Sequence, residues 1–194
     1  MNRDDIRQII QDSAATIALM GEQAGRIDEM AQAVVSCFRN GGTIFTAGNG
    51  GSAAEAMHLA EECVGRFRSS RPALPAIALV ADPTALTCIG NDFGFDHVFS
   101  RPVEALGKPG DLLILFSTSG QARNLRLALD IARRREIKTL ALLGRDGGPL
   151  RHAADLELIV NAHDTARIQE AHQVLVHLLL QAVEDVWSEA AATG

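Results

Sequence analysis

Cysteine is scarce in this chain and is not arranged for a disulfide or a metal site. The 194 residues include three cysteines, Cys37, Cys63 and Cys88, an odd number without C-x-x-C spacing. This pattern indicates neither a disulfide framework nor a cysteine-ligated zinc site. Because unpaired thiols are typical of reducing compartments, we expect a cytoplasmic protein.

Positive charge is also in short supply. The chain has 18 Lys and Arg residues against 24 Asp and Glu residues, for a net charge of -6. Proteins bind the phosphate backbone of nucleic acids chiefly through clustered Lys and Arg, so we expect no nucleic-acid partner. The one basic run, Arg133-Arg134-Arg135, falls at the end of a predicted helix, where cations interact favourably with the helix dipole.

Long apolar runs and familiar nucleotide motifs are absent as well. No run is long enough to cross a membrane, and no apolar segment of a signal peptide follows Met1 to Asp5. We therefore expect no membrane association. The chain has neither G-x-G-x-x-G nor a Walker A motif, which argues against a dinucleotide or a nucleoside triphosphate as ligand.

Apolar periodicity divides the chain into a helical extension, residues 1–40, and an α/β unit, residues 41–194. The extension has apolar residues at three- and four-residue steps, which predict two amphipathic helices with a joint between Gly21 and Gly25. It could cover its own domain or pack against another subunit. In the second unit, near-continuous apolar runs alternate with helical patterns, which is typical of an open, five-stranded parallel sheet flanked by helices. The predicted strands are Thr43–Thr46, Ala76–Val80, Asp111–Phe116, Lys138–Leu143 and Leu156–Val160, and the helices between them are 53–66, 83–91, 97–106, 121–135 and 148–153, with a last helix over 165–191.

Two loops at the carboxyl ends of predicted strands have the composition of anion sites. The glycine loop, Ala47 to Ser52, leads into a helix whose free amide groups and dipole favour an anion, and Ser52 can cap that helix. A βα turn without a ligand remains an equal alternative for this loop alone. The hydroxyl loop, Ser117 to Gly120, offers three hydroxyl groups, more than capping needs. Two such loops at one sheet edge favour a sugar phosphate.

Histidine and carboxylate side chains follow at helical spacing. His58 and Glu62 lie one turn apart on the first helix after the glycine loop, which suits a shared metal ion or a base and its partner, although such pairs are more often plain surface contacts. The last helix carries Gln169, His172 and His177. Gln169 and His177 are about 12 Å apart along an ideal helix, which is long for two ligands of one ion. We expect leaning side chains, an irregular helix start or ligands from different subunits.

These motifs together resemble the phosphoheptose isomerases of the sugar isomerase (SIS) fold. The resemblance covers nearly the whole chain and rests on five segments in order: 48–62, Gly90-Asn91-Asp92-Phe93-Gly94, 117–120, 144–148 and 166–172. It implies a cytoplasmic isomerase that converts sedoheptulose 7-phosphate to D-glycero-D-manno-heptose 7-phosphate, the first step toward the heptose of bacterial surface lipopolysaccharide. It also implies a homotetramer with active sites between subunits.

The resemblance assigns roles to individual residues. One zinc ion per site would be bound by His58, Glu62, Gln169 and His177, and the catalytic pair would be Glu62 and His177. The implied substrate-binding residues are Asn49, Gly50, Gly51, Ser52, Glu62, Asn91, Asp92, Ser117, Thr118, Ser119 and Gln169.

Two departures and two alternatives accompany the resemblance. Some members have serine at Ala122 and aspartate at Ala166, so this chain has one phosphate donor and one hydroxyl partner fewer. A regulatory SIS protein that associates with the bacterial replication initiator keeps the loops but lacks the Glu and the last His. Because Glu62 and His177 are both present here, catalysis is favoured. Another sugar-phosphate isomerase of the same fold shares the physical argument.

Overall fold

The chain folds around one parallel sheet. The computed structural model describes residues 1–192, with side chains described through Ser188. The strands are β1 (Ile44–Gly48), β2 (Ala76–Ala78), β3 (Leu112–Ser117), β4 (Lys138–Gly144) and β5 (Leu156–Val160). Their order across the sheet is β2-β1-β3-β4-β5, and every neighbouring pair is parallel. The predicted fold class is confirmed.

Seven α-helices surround the sheet in the described part of the chain. They are α1 (Arg3–Leu19), α2 (Ala24–Arg39), α3 (Gly51–Val64), α4 (Pro83–Phe93), α5 (Ser100–Leu106), α6 (Arg123–Arg134) and α7 (Thr165–Ala192), with 3-10 turns at Met20–Gln23, Phe95–His97 and Gly148–Leu150. None of these helices is long and apolar enough to span a bilayer.

The predicted helix over 148–153 is wrong, because only the turn Gly148–Leu150 forms there. Gly147 and Gly148 have φ angles of 83° and 49°, a left-handed backbone that no α-helix contains. The predicted second strand is also too long. It ends at Ala78, and Ala81 N then donates to Ala78 O to close a turn.

Helices cover both faces of the sheet, which explains the continuous apolar strands. On one face α2, α3 and α7 pack over alternate strand residues such as Ile114 and Phe116. On the other face α5 and α6 pack over Leu113 and Leu115. The extension therefore covers its own domain through α2, whose Met30 and Val34 lie in the shared core. By contrast, α1 has no buried residue.

Candidate active site

Two positions of the glycine loop have no room for a side chain, because other atoms pack against the backbone there. A Cβ atom on Gly48 would come within 2.4 Å of Ser52 O, and one on Gly51 would come within 2.0 Å of Gln169 Nε2. Gln169 on α7 therefore packs directly on the loop. The expected capping role of Ser52 is wrong: Gly50 is the N-cap of α3, at φ 58°, and no side chain caps this end.

The hydroxyl loop lies at the same sheet edge, after β3. Ser117 Oγ accepts a hydrogen bond from Gly120 N at 3.0 Å, and Ser119 Oγ accepts one from Gln121 N at 3.3 Å. Both hydroxyl groups are used as acceptors, so their protons remain available for an anion. Thr118 between them is half-buried. The loop thus has a fixed backbone and hydroxyl donors.

An amide pair joins the glycine loop to the helix that follows the hydroxyl loop. Asn49 Nδ2 donates to Asn124 Oδ1 at 3.0 Å, and Asn124 Nδ2 donates back to Asn49 Oδ1 at 2.9 Å. Asn124 lies in the first turn of α6 and is 4% exposed. Asn124 was not among the predicted site residues, although its position just after the hydroxyl loop was a usable signal. The pair holds the glycine loop against the first turn of α6, three residues after the hydroxyl loop ends.

The second half of the site lies between α3 and α7. His58 Nε2 is 3.4 Å from Glu62 Oε1. Gln173 Nε2 is 2.6 Å from His58 Nδ1 and 3.3 Å from His177 Nε2. The rings of His58 and His177 meet edge to face with centroids 5.4 Å apart. His58 therefore contacts both members of the predicted catalytic pair, and Gln173, which sequence reasoning missed, joins the two rings.

Phe67, also missed, forms one wall of this cleft. Its ring stacks on His177 at a centroid distance of 5.7 Å and an interplanar angle of 24°.

The neighbouring thiol of Cys63 points into the core, and burial raises its pKa to about 12. A thiol with that pKa stays protonated near neutrality, so Cys63 is unsuited to act as a nucleophile.

Donor atoms in the cleft fit a divalent metal ion by type and spacing. Ligand atoms of His58, Glu61 and Glu62 all lie within 4.8 Å of one another, and imidazole nitrogen and carboxylate oxygen are ordinary zinc ligands. Glu61 is exposed on α3 and was not in the predicted ligand set. Gln169 was in the predicted ligand set, but among the described residues it makes no hydrogen bond to His58 or Glu62. Its amide lies at the glycine loop, and α7 is continuous, so an irregular helix start does not bring it closer.

The predicted substrate-binding residues Asn91 and Asp92 lie on α4. They are exposed on α4, where Asn91 Nδ2 donates to Asp92 Oδ1 at 2.7 Å and Cys88 Sγ lies 3.6 Å from Asp92 Oδ2. No hydrogen bond or ion pair of the described residues connects either side chain to the two loops. Their predicted role in substrate binding stays a prediction.

The two departures from the family pattern, Ala122 and Ala166, both lie at the start of a helix. Ala122 is the N-cap of α6 and provides no side-chain cap. Ala166 is exposed in the first turn of α7, and its N–H donates to Asp164 Oδ1 at 2.8 Å. The carboxylate nearest in sequence to Ala166 is thus used to cap α7.

The open parallel sheet, with its two candidate anion loops at the carboxyl edge, has the architecture of a SIS domain, and the SIS domain family model matches residues 10–144. The phosphoheptose isomerase of Geobacter sp. (strain M21) is 49% identical over 167 residues, which cover 86% of this chain and 87% of that protein. The solved phosphoheptose isomerase of Neisseria gonorrhoeae is 38% identical with a TM-score of 0.89 and covers 95% of this chain and 99% of its own. That of Francisella tularensis is 35% identical with a TM-score of 0.91 and covers 95% and 100%. The chain belongs to the phosphoheptose isomerase family.

Proposed function

We propose that this protein converts sedoheptulose 7-phosphate to D-glycero-D-manno-heptose 7-phosphate through an enediolate. The observation that carries the proposal is the Glu62 carboxylate, placed 3.4 Å from His58 in the same cleft as His177. The reaction moves a proton between C1 and C2 of the sugar, so it needs a base for a carbon-bound proton and an acid for the oxygens. The identity of the sugar phosphate is taken from the phosphoheptose isomerase family to which the chain belongs.

Glu62 is the base in this mechanism. Its carboxylate is 20% exposed at the end of α3, which leaves it accessible to a ligand but partly shielded from water. It takes the C1 proton of the ketose and returns a proton to C2. General base catalysis of this kind contributes about 10²–10⁴-fold to rate.

His177 moves protons on the sugar oxygens. Its ring is held against Phe67 and His58, and its Nε2 accepts a hydrogen bond from the amide nitrogen of Gln173 at 3.3 Å. Gln173 also fixes the ring of His58, since its amide lies at Nδ1 and leaves Nε2 toward Glu62. The cleft therefore offers one carboxylate and one imidazole to the two reacting carbons, each with an orienting neighbour.

The phosphate is bound far from the reacting carbons. Ser52 and Glu62 are ten residues apart on α3, about 15 Å along the helix axis. A substrate with its phosphate on C7 and its reaction at C1 and C2 suits a site extended in this way. Hydroxyl and backbone donors at the loops would hold the phosphate, and this remote binding energy orients the reacting end.

The proposal includes one zinc ion, with His58, Glu62 and His177 as ligands. The fourth ligand is Gln169, and because its amide lies at the glycine loop within this chain, we propose that it comes from a neighbouring subunit. A bound zinc ion would act as a Lewis acid toward the sugar oxygens. The cluster of donor atoms around His58 and Glu62 supports this part of the proposal.

Turnover of sedoheptulose 7-phosphate by the purified protein tests the proposal. The aldose product is followed by NMR for the protein as purified, after chelation and after zinc is restored. We expect turnover that disappears with the chelator and returns with zinc. No turnover in any of the three states, with the fold intact by circular dichroism, would refute the proposal and favour a regulatory SIS protein.

The proposal also includes a cytoplasmic homotetramer with sites between subunits. An apolar groove of about 480 Å³ runs beside His58, lined by exposed residues including Met57, Val64 and Ile77. Apolar surface next to a site suits a subunit interface. Light scattering should give about 83 kDa, four times the chain mass of 20.7 kDa. Val64→Glu should lower that mass, and a wild-type mass of one chain would contradict the tetramer.

A further inference from the structure

Arg71 forms a buried ion pair that the proposed mechanism does not use. Its Nε faces Glu184 Oε2 at 3.5 Å, and the two side chains are 0% and 4% exposed. Ser69 N also donates to the Glu184 carboxylate. Removing two charges from water is costly unless further hydrogen bonds satisfy them. The guanidinium of Arg71 therefore needs hydrogen-bond acceptors in addition to Glu184.

The other nitrogens of Arg71 hold the last turn of α3. Nη2 donates to the carbonyl oxygen of Glu62 at 2.6 Å, and Nη1 donates to that of Cys63 at 2.9 Å. Carbonyl groups in the last turn of a helix have no partner within the helix, and a cation there also interacts favourably with the helix dipole. Arg71 thus fixes the backbone of the very residue that carries the candidate base.

The opposite end of the pair belongs to the helix of His177. Glu184 follows His177 by seven residues on α7, which is two turns along nearly the same face. One ion pair therefore connects the backbone of Glu62 to the helix that carries its catalytic partner. We infer that Arg71 and Glu184 are positioning residues, which set the spacing between Glu62 and His177. This inference rests on the proposed isomerase function.

Two variants remove the connection in different ways. Arg71→Lys keeps the charge but loses the planar fork that binds two carbonyl groups at once. The double variant Arg71→Met with Glu184→Gln leaves no unpaired buried charge, and glutamine still accepts from Ser69 N. The control is Thr139→Val, which removes a buried hydroxyl bonded to Asp155 at the opposite sheet edge. The control lowers the melting temperature without touching α3 or α7.

Steady-state kinetics and amide hydrogen exchange are measured for all three proteins and wild type. We expect kcat to fall by about 10²-fold in both variants while KM changes little, because a displacement near 1 Å has an effect of that order. Amides of residues 59–65 should exchange faster in both variants but not in the control. Faster exchange with kcat within twofold of wild type overturns the inference, and so does unchanged exchange. An inactive wild type refutes the proposed function instead, while exchange still reports on the connection.

Discussion

The buried pair of His172 and Glu55 offers a quantitative test of how α3, α7 and the sheet are held together. His172 Nε2 lies 3.3 Å from Leu143 O, and because a carbonyl group only accepts, Nε2 carries the proton. Nδ1 lies 3.7 Å from Glu55 Oε2. His172 is 0% and Glu55 6% exposed, and among the described residues neither carboxylate oxygen of Glu55 has a hydrogen-bond partner.

Replacing His172 with Leu should therefore leave the buried Glu55 carboxyl group without the imidazole that faces it. Leaving a buried polar group without its partner costs about 1–3 kcal/mol, and more where the group is charged. At an m-value of about 2–3 kcal/mol/M, the urea midpoint should fall by about 0.3–1.5 M. The assay is urea unfolding at one fixed protein concentration, since oligomer stability depends on concentration.

Two further proteins complete this test. Glu55→Met in the His172→Leu background should regain most of the lost stability, because it removes the buried carboxyl group that has lost its partner. Arg26→Leu breaks the exposed Arg26–Glu29 pair, whose side chains are 45% and 59% exposed, and should cost only about 0–1 kcal/mol. The reasoning is refuted if His172→Leu costs no more than Arg26→Leu, or if the double variant is less stable than His172→Leu alone.

Two more predictions follow from the site. Gln173→Leu should weaken zinc binding about 10–100-fold, measured by chelator competition without substrate, because it removes the amide that orients the ring of His58; unchanged affinity would contradict that role. The buried thiol of Cys63, with a pKa raised from 9.0 to about 12, should resist alkylation at pH 8 while the exposed Cys88 reacts. Since the unfolded thiol ionises near pH 9 and the folded one near 12, Cys63 favours the folded state below pH 9, and this contribution declines as the pH rises from 9 to 12. A flat urea midpoint across that range, relative to Cys63→Ala, would show that the thiol has no such effect.

The sequence predicted the fold because both faces of the sheet are covered. Strands such as β3 then consist of apolar residues only up to the terminal Ser117, and glycines follow where the chain turns toward a helix. The turn at Gly148 was mispredicted because helical composition says nothing about a backbone φ of +49°. Gly148 also packs against the hydroxyl loop, where a Cβ atom would lie 2.8 Å from Ser119 O, and this long-range contact has no local sequence signal.

Side-chain contacts within the candidate site were predictable only where both partners share one helix. His58 and Glu62 are four residues apart, so any helix over this segment places them on one face. The contact between His58 and Gln173 joins residues 115 positions apart, and it depends on which faces of α3 and α7 meet. No periodicity contains that information. The same limit applies to the pairing of Asn49 with Asn124.

In the proposed mechanism, Glu62 removes the carbon-bound proton of a seven-carbon ketose phosphate. The most direct measurement is the kcat of Glu62→Gln on sedoheptulose 7-phosphate, beside Glu61→Gln, which makes the same change one residue away. We expect kcat to fall by about 10²–10⁴-fold for Glu62→Gln and by less for Glu61→Gln. A Glu62→Gln enzyme with kcat within a few-fold of wild type, or a larger loss in Glu61→Gln, would contradict this mechanism.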